Sequence, residues 1–310
     1  MNDTTQRAEA ILRAACGDRV RTRFSMGPLT TFRVGGEAAL YLEPESEADL
    51  VAAGGAVAET GIDVIVVGKG SNLLVSDSGF AGLVLRLGKT FRWAAREERW
   101  ISAGAAMPLP ALAGVALRHG LTGLEFGVAI PATLGGAVRT NAGAHGREVA
   151  DVLEHVEVYL LGEQAYATIA REAAGLSYRR SNLPAQAVVV AARMSLAPGT
   201  ARAIRSGMEN ARAWRRRTQP LAEPNCGSVF VNPPGRHAAA LIEECGMKGR
   251  SVGGARVSTK HANFITTALG ARAADVASLI EDVQREVEQR TGVLLTREVQ
   301  LVGEFARAER

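Results

Sequence analysis

The apolar positions of the chain change period several times, and each change marks an element. Residues 6–17 carry the spacing of a short helix, and TTFRVGGEAALYLEP (30–44) reads as an extended run broken at Gly35–Gly36. ESEADLVAAGGAVAETG (45–61) has the acidic start, apolar spacing and closing glycine of a helix. IDVIVVGKGSNLLVSD (62–77) reads as a buried strand, a glycine turn and a second strand; GFAGLVLRLG (79–88) is a third. This order predicts a small α/β unit of about ninety residues.

A second unit opens with RWISAGAAMPLPALAGVALRHGLTG (99–123), a strand followed by a helix that starts at prolines and ends at His119–Gly120. A glycine-rich stretch, GVAIPATLGGAVRTNAGAHG (127–146), reads as loop. DVLEHVEVYLLG, YATIAR and AVVVAARMSL then alternate with period two, as strands of an antiparallel sheet do. After ARAIRSGMENARAWRRR (201–217) come a short helix in GRHAAALIEECGMKG, a strand and turn in ARVSTKHANFITT, and a long amphipathic helix in ADVASLIEDVQREVEQRTG. The closing VLLTREVQLVGEF reads as a strand with Leu295, Arg297, Val299 and Leu301 on one face and Glu298 and Gln300 on the other.

Composition narrows the class. With 310 residues, 47% of them hydrophobic and 22% charged, the chain is globular and long enough for two or three domains. Only the first ten residues and the tail after Glu304 are expected to be loose. No stretch approaches the roughly 18 uninterrupted apolar residues of a membrane helix, and the N-terminus lacks a signal-peptide core, so a cytoplasmic protein is expected. Three scattered cysteines and five scattered histidines form no CxxC or metal-type cluster. Six arginines between 201 and 217 read as a solvated helix face, part of which can reach an anionic substrate; a nucleic-acid module around them is the rival outside enzymes.

Two glycine loops carry candidate chemistry. GKGSN (68–72) sits between strands, where glycine lets backbone N–H groups approach a phosphate; it is neither a Walker A loop nor a dinucleotide fingerprint. The loop at 127–146 is too rich in small residues for mere connection, and two such loops in consecutive units suit one extended cofactor. PNCGSVFVNPPG (224–235) places Ser228 in an apolar run. The serine is a satisfied turn residue or a chemical one; the motif lacks the second glycine of a nucleophile elbow, and Cys226 has no evident partner.

TTFRVGG, VVGKGSNLLVSDSGFAGLVL, GLEFGVAIPATLGGAVRTNAGAHGRE, LSYRRS, CGSVFVNPPG, GGARVSTKHANFI and LTREVQLVGE stand in the order found in UDP-N-acetylenolpyruvoylglucosamine reductases. The chain resembles the shorter form of that family from about residue 20 to 305. The resemblance implies an α+β fold: an FAD-binding fold of the vanillyl-alcohol-oxidase (PCMH) type in two α/β subdomains, residues 1–90 and 91–205, with an α+β substrate-binding domain at 206–293. The strand at 294–310 would return to the FAD-binding part. It implies non-covalent FAD held by Arg33, Gly68, Lys69, Gly70, Ser71, Asn72, Leu73, Gly127, Ile130, Pro131, Gly135, Gly136, Asn141, Ala142, Gly143 and Arg179. Ala129, Ala132, Thr140, His145 and Val231 depart from the family pattern, and the methyl of Ala132 is tolerable only at negative φ.

The implied reaction reduces an enolpyruvyl ether to a lactyl ether, with NADPH as hydride donor through the flavin. Arg179 in SYRRS and Glu298 in LTREV would sit at the substrate carboxylate, and Ser228 would give the proton to the carbon beside it. Asn232, Arg217 and Lys260 would bind the sugar nucleotide, and no metal is called for. The expected partners are this UDP-sugar and NADPH, with no nucleic acid or membrane, in a monomer. An FAD oxidase or dehydrogenase of the same superfamily would need the glycine loops, but not SYRRS, CGSVF and LTREV together.

Overall fold

The computed structural model describes residues 2–305, so the end of the tail, 306–310, lies outside the described residues. Residues 2–10, expected to be loose, are ordered. Helix α1 (Asp3–Cys16) starts at once because Asn2 caps it, its Oδ1 accepting from Thr5 N at 2.9 Å. Ala8, Leu12 and Cys16 recur every four residues and are buried, which places one apolar stripe in the core.

Helix α2 (Glu47–Thr60) begins in a capping box, with Ser46 accepting from Asp49 N and Asp49 accepting from Ser46 N. Asp49 also accepts from Glu45 N at 2.8 Å and takes the fork of Arg19 at 2.5 and 2.6 Å. The Arg19 bond, above all, holds its carboxyl down at about 2, so the helix start is tied to the chain after α1.

The chain forms two compact units that do not follow chain order. The first comprises residues up to Thr22, Ala39–Lys69 and Ala81–Arg215. The strand Val64–Val66 pairs in parallel with Phe80–Leu85, within a four-stranded sheet ordered Arg21–Ser25, Glu37–Leu42, Phe80–Leu85, Val64–Val66. The expected extended run at 30–44 narrows to Glu37–Leu42, because Arg33 (φ 60°) and Gly35 (φ 126°) turn the chain before it. A five-stranded antiparallel sheet is ordered Ala165–Ala170, Leu153–Leu160, Ala187–Ser195, Trp100–Gly104, Ala94–Glu97.

Helix α3 (Leu109–Arg118) follows Pro108 and ends before Gly120, as its prolines and glycine predict. The glycine-rich stretch is not loop throughout: it contains helix α4 (Leu134–Arg139), capped by Thr133. Gly135 lets α4 lie close to Ala105 and Val189, since a Cβ there would stand 3.0 Å from the Ala105 Cβ. Helix α5 (Arg171–Ala174) is a single turn, and α6 (Ala201–Thr218) buries Ile204, Met208 and Ala211 while Arg202, Arg205, Arg212, Arg216 and Arg217 are exposed. Most of the basic run is thus a solvated face.

The second unit comprises Arg23–Ala38, Gly70–Phe80 and the chain from Arg216 on. Helices α7 (Ala238–Glu244) and α8 (Ala273–Thr291) pack with the three-stranded sheet Ser251–Val252, Ala255–Val257, Ile265–Thr267. Asp77 caps α8 from far away in sequence, accepting from Ala273 N and Ala274 N at 2.8 and 2.9 Å. The closing strand is shorter than expected: only Gln300–Val302 pairs regularly, in parallel with Leu73–Val75. Glu298 N and Val299 N both donate to the Val229 carbonyl, at 2.8 and 3.3 Å, and this bulge breaks the period-two pattern. Leu295 and Val299 are buried, but Arg297 is exposed and Glu298 half-buried.

Asp49 is the group to test in this frame. Its folded pKa lies below the ordinary carboxyl value of 3.8, so its stabilisation is complete above that value and is lost as pH falls towards about 2. Asp49→Asn should lower stability at neutral pH by about 1–3 kcal/mol and flatten the loss between those limits, as read by urea denaturation at several pH values.

Candidate functional site

In the first unit, Gly68, Lys69, Gly135 and Gly136 line one cavity of about 290 Å³. Its wall also holds Thr133, Ala105, Ala106 and Val189, and five basic side chains: Lys69, Arg86, Lys89, Arg92 and Arg139. Glu43 is the carboxylate among its lining residues. Gly68 must be glycine, since a Cβ would collide with the Thr133 hydroxyl that caps α4. An apolar, glycine-walled cleft rimmed by cations fits a flat group that carries phosphates, so the residues present fit FAD. Sequence reasoning missed Arg86, Lys89, Arg92 and Arg139, because isolated basic residues carry no pattern.

The other expected flavin residues of this unit are not among those that line the cavity. Gly127 is buried in a short 3₁₀ turn, Glu125–Ala129, with Ile130 half-buried and Pro131 exposed after it. Ala129 is accommodated within this turn, and Ala132 is absent from the residues of positive φ, which satisfies the condition on its methyl. Thr140 turns its hydroxyl back on the Gly136 carbonyl at 3.0 Å. Asn141 is fully buried at φ 43°; its Nδ2 donates to Ser177 O at 3.0 Å and its Oδ1 accepts from Ala150 N at 2.9 Å. Ala142 N donates to Ala137 O, and Gly143 opens a two-residue hairpin with His145 (φ 57°) at its tip, edge-on to Trp214 at 5.0 Å.

Arg179 sits in the turn Ser177–Arg180, closed by backbone bonds in both directions. Its φ of 59° is left-handed, at a position where turns favour glycine. Strain of this kind persists where the surroundings over-determine it and is common at functional sites. The guanidinium donates to Gly143 O at 3.2 Å and lies over the Tyr178 ring at 5.0 Å, so it is aimed along the hairpin of the glycine loop.

The second unit carries the other site residues. Gly70 (φ 61°) is pressed against the Leu29 carbonyl, and its own carbonyl accepts from Thr31 N at 3.1 Å, two residues before exposed Arg33. Ser71 is half-buried, and Leu73 begins the strand that pairs with Gln300–Val302. Asn72 donates to the Glu298 carbonyl at 3.1 Å, so the glycine turn and the glutamate are held together.

Ser228 is half-buried after Gly227 (φ 82°), and its neighbours are clamped by one residue. Asn263 is buried; its carbonyl accepts from Val229 N, its Oδ1 from Phe230 N at 2.9 Å, and its Nδ2 donates to Phe230 O at 2.8 Å. Because Glu298 N bonds to Val229 O, Ser228 and Glu298 lie on adjoining segments. His261 accepts from Asn263 N through Nδ1, and burial pushes its pKa down, so it is a neutral structural group. Burial pushes the Cys226 thiol well up, which removes it as a nucleophile. Asn232 accepts from Ala238 N at 3.0 Å at the start of α7, beside Val231, whose N–H donates to Thr296 O. Lys260 donates to Arg216 O at 2.7 Å near the end of α6, and Arg217 is exposed.

Two stability tests follow from this geometry. Gly68→Ala should lower stability by about 1–3 kcal/mol through overpacking against Thr133, and Thr133→Ala in the same chain should restore part of it, as read by thermal unfolding. Arg179→Gly should be more stable than Arg179→Ala by about 1–2 kcal/mol, because only glycine is at ease at that φ. Equal melting of the two Arg179 variants would remove the strain.

A family model described as an FAD binding domain matches residues 38–164, and one for the C-terminal domain of UDP-N-acetylenolpyruvoylglucosamine reductase matches 219–302. The enzyme of that name from Heliobacterium modesticaldum is 45% identical over 89% of this chain and 88% of its own. That from Synechocystis is 41% identical over 98% of this chain and 97% of its own. The crystal structure of UDP-N-acetylenolpyruvylglucosamine reductase from Thermus caldophilus superposes with a TM-score of 0.80 at 37% identity, covering 92% of this chain and 99% of that one. Two glycine loops, the SYRRS turn and the clamped CGSVF serine on an α+β frame therefore have one explanation: the chain belongs to the UDP-N-acetylenolpyruvoylglucosamine reductase family.

Proposed function

We propose that the chain is an NADPH-dependent flavoenzyme that reduces the enolpyruvyl ether of UDP-N-acetylglucosamine enolpyruvate to UDP-N-acetylmuramate in peptidoglycan precursor synthesis. The observation that carries the reading is the cation-rimmed, glycine-walled cavity, whose lining helix α4 runs directly into the segment that holds Arg179. FAD, when bound there without a covalent bond, supplies a hydride taken from NADPH.

The rest of the chemistry belongs to side chains. Adding hydride to the vinyl carbon distal to the carboxylate leaves negative charge on the carbon beside it and on the carboxylate. Arg179 stabilises that charge, a contribution of about 3–4 kcal/mol for a preorganised donor in a dry site. Ser228 then gives its hydroxyl proton to the carbon, so the alkene gains one hydride and one proton. A serine is a weak acid and needs a strongly basic acceptor and a fixed approach. Gly227 and the Asn263 clamp supply the fixed approach. Glu298, on the adjoining segment, orients the substrate carboxylate. Asn232 is left its amide N–H groups for the sugar nucleotide, since its oxygen holds Ala238 N; Arg217 and Lys260 add positive charge for the diphosphate. The protein acts as a monomer in the cytoplasm, and no helix among the described residues is long and apolar enough to cross a membrane.

Rapid mixing separates the roles. Ser228→Ala should keep flavin reduction by NADPH near the normal rate and slow reoxidation by the enolpyruvyl ether by about 10²-fold or more. Normal reoxidation would take the serine out of the mechanism. Arg179→Ala should stay yellow and lose turnover on a similar scale, about 10²-fold.

A further inference from the structure

Arg139 carries no role in the sequence reading, yet the structure gives it an unusual setting. It ends α4 and lines the cavity. Its guanidinium donates to Leu183 O at 3.0 Å, to Pro184 O at 2.8 Å and to Ala187 O. Its own carbonyl accepts from Ser181 Oγ at 2.8 Å. Two residues on, Asn141 holds Ser177 O; four residues on, Gly143 O takes the Arg179 guanidinium. Residues 139–143 thus grip the segment 177–187 along its length, with Arg179 inside it.

The partners of the Arg139 guanidinium are neutral carbonyls, with no carboxylate among them, and burial pushes its pKa down. A half-buried charge whose bonded partners are all neutral is costly. The cost is offset if the cavity that Arg139 and Ala187 both line receives an anion. We propose that Arg139 is a positioning residue that couples occupation of the cavity by the anionic cofactor to the setting of the Arg179 turn. The charge answers the cofactor, and the planar fork, which a lysine lacks, fixes the carbonyls behind Arg179. The inference rests on reading the cavity as the flavin site.

The test uses the full chain, flavin-loaded and stripped, with Arg139→Lys and Arg139→Gln. In the wild type, flavin uptake should slow amide hydrogen exchange over residues 177–187. Arg139→Lys should take up flavin and be reduced by NADPH at near the normal rate, yet lose that slowing. Its turnover with the enolpyruvyl ether should fall about 10²-fold, the scale of a misplacement of about 1 Å. Arg139→Gln should show the same losses and also hold flavin less tightly. Adding Arg179→Ala to either variant should cost little more than Arg179→Ala alone. The coupling is overturned if exchange at 177–187 ignores flavin in the wild type, if Arg139→Lys matches the wild type, if Arg139→Gln holds flavin as tightly, or if the losses add in full. A wild-type chain that takes up no flavin would instead overturn the reading of the cavity, and the coupling with it.

Discussion

Main-chain N–H and C=O groups that leave water must be bonded, and the loops that carry Arg179 and Ser228 have no continuous ladder to bond them. Side chains stand in for the missing strand. Asn263 offers Phe230 both an acceptor and a donor, as a paired strand would. Asn141 does so for Ser177 and Ala150, and Asn72 holds the carbonyl of Glu298. The positions of the proposed catalytic groups are therefore inherited from a few amides and one guanidinium. Truncating any of these leaves buried partners unsatisfied, at about 1–3 kcal/mol each.

Strain at the site follows from that bonding. Asn141, His145 and Arg179 are all left-handed without being glycine, and they lie in segments that bond to one another. Such backbone relaxes unless its neighbours forbid it. Here the neighbours do: Asn141 is bonded at both ends of its amide, His145 rests against Trp214, and the Arg179 turn is closed from both sides. The main chain that carries Arg179 is thus held in place by its neighbours.

This explains what could be read in the sequence. Helix α8 was legible, because Val276, Leu279, Ile280, Val283 and Val287 repeat at helical spacing and are buried as a stripe. So were the glycine turns and the CGSVF serine, whose residue types are dictated locally. Arg139 and Asn263 were not: a polar residue among small ones looks solvent-facing, and its burial is decided by partners some 30 to 50 residues away. Nor was α4, since a glycine-rich string hides a helix that only packing against Ala105 and Val189 makes favourable. The faces of the last strand failed for a similar reason. A bulge on the Val229 carbonyl shifts the alternation, and no periodicity within 294–302 reports it.

The charges of the cavity divide in the same way between the local and the remote. Lys69, Lys89 and Arg92 are exposed, so their mutual repulsion is felt through water, where even close charges interact by only about 1 kcal/mol. They draw an anion in without straining the fold. Arg139 is different, for its charge is partly desolvated and its bonds are all to neutral carbonyls. A ligand that answers that charge binds the folded chain and has no counterpart in the unfolded one, so its binding energy adds to stability. On the proposed coupling, the same guanidinium carries part of the gain to the loop of Arg179, so that holding the cofactor and setting that turn are one set of hydrogen bonds.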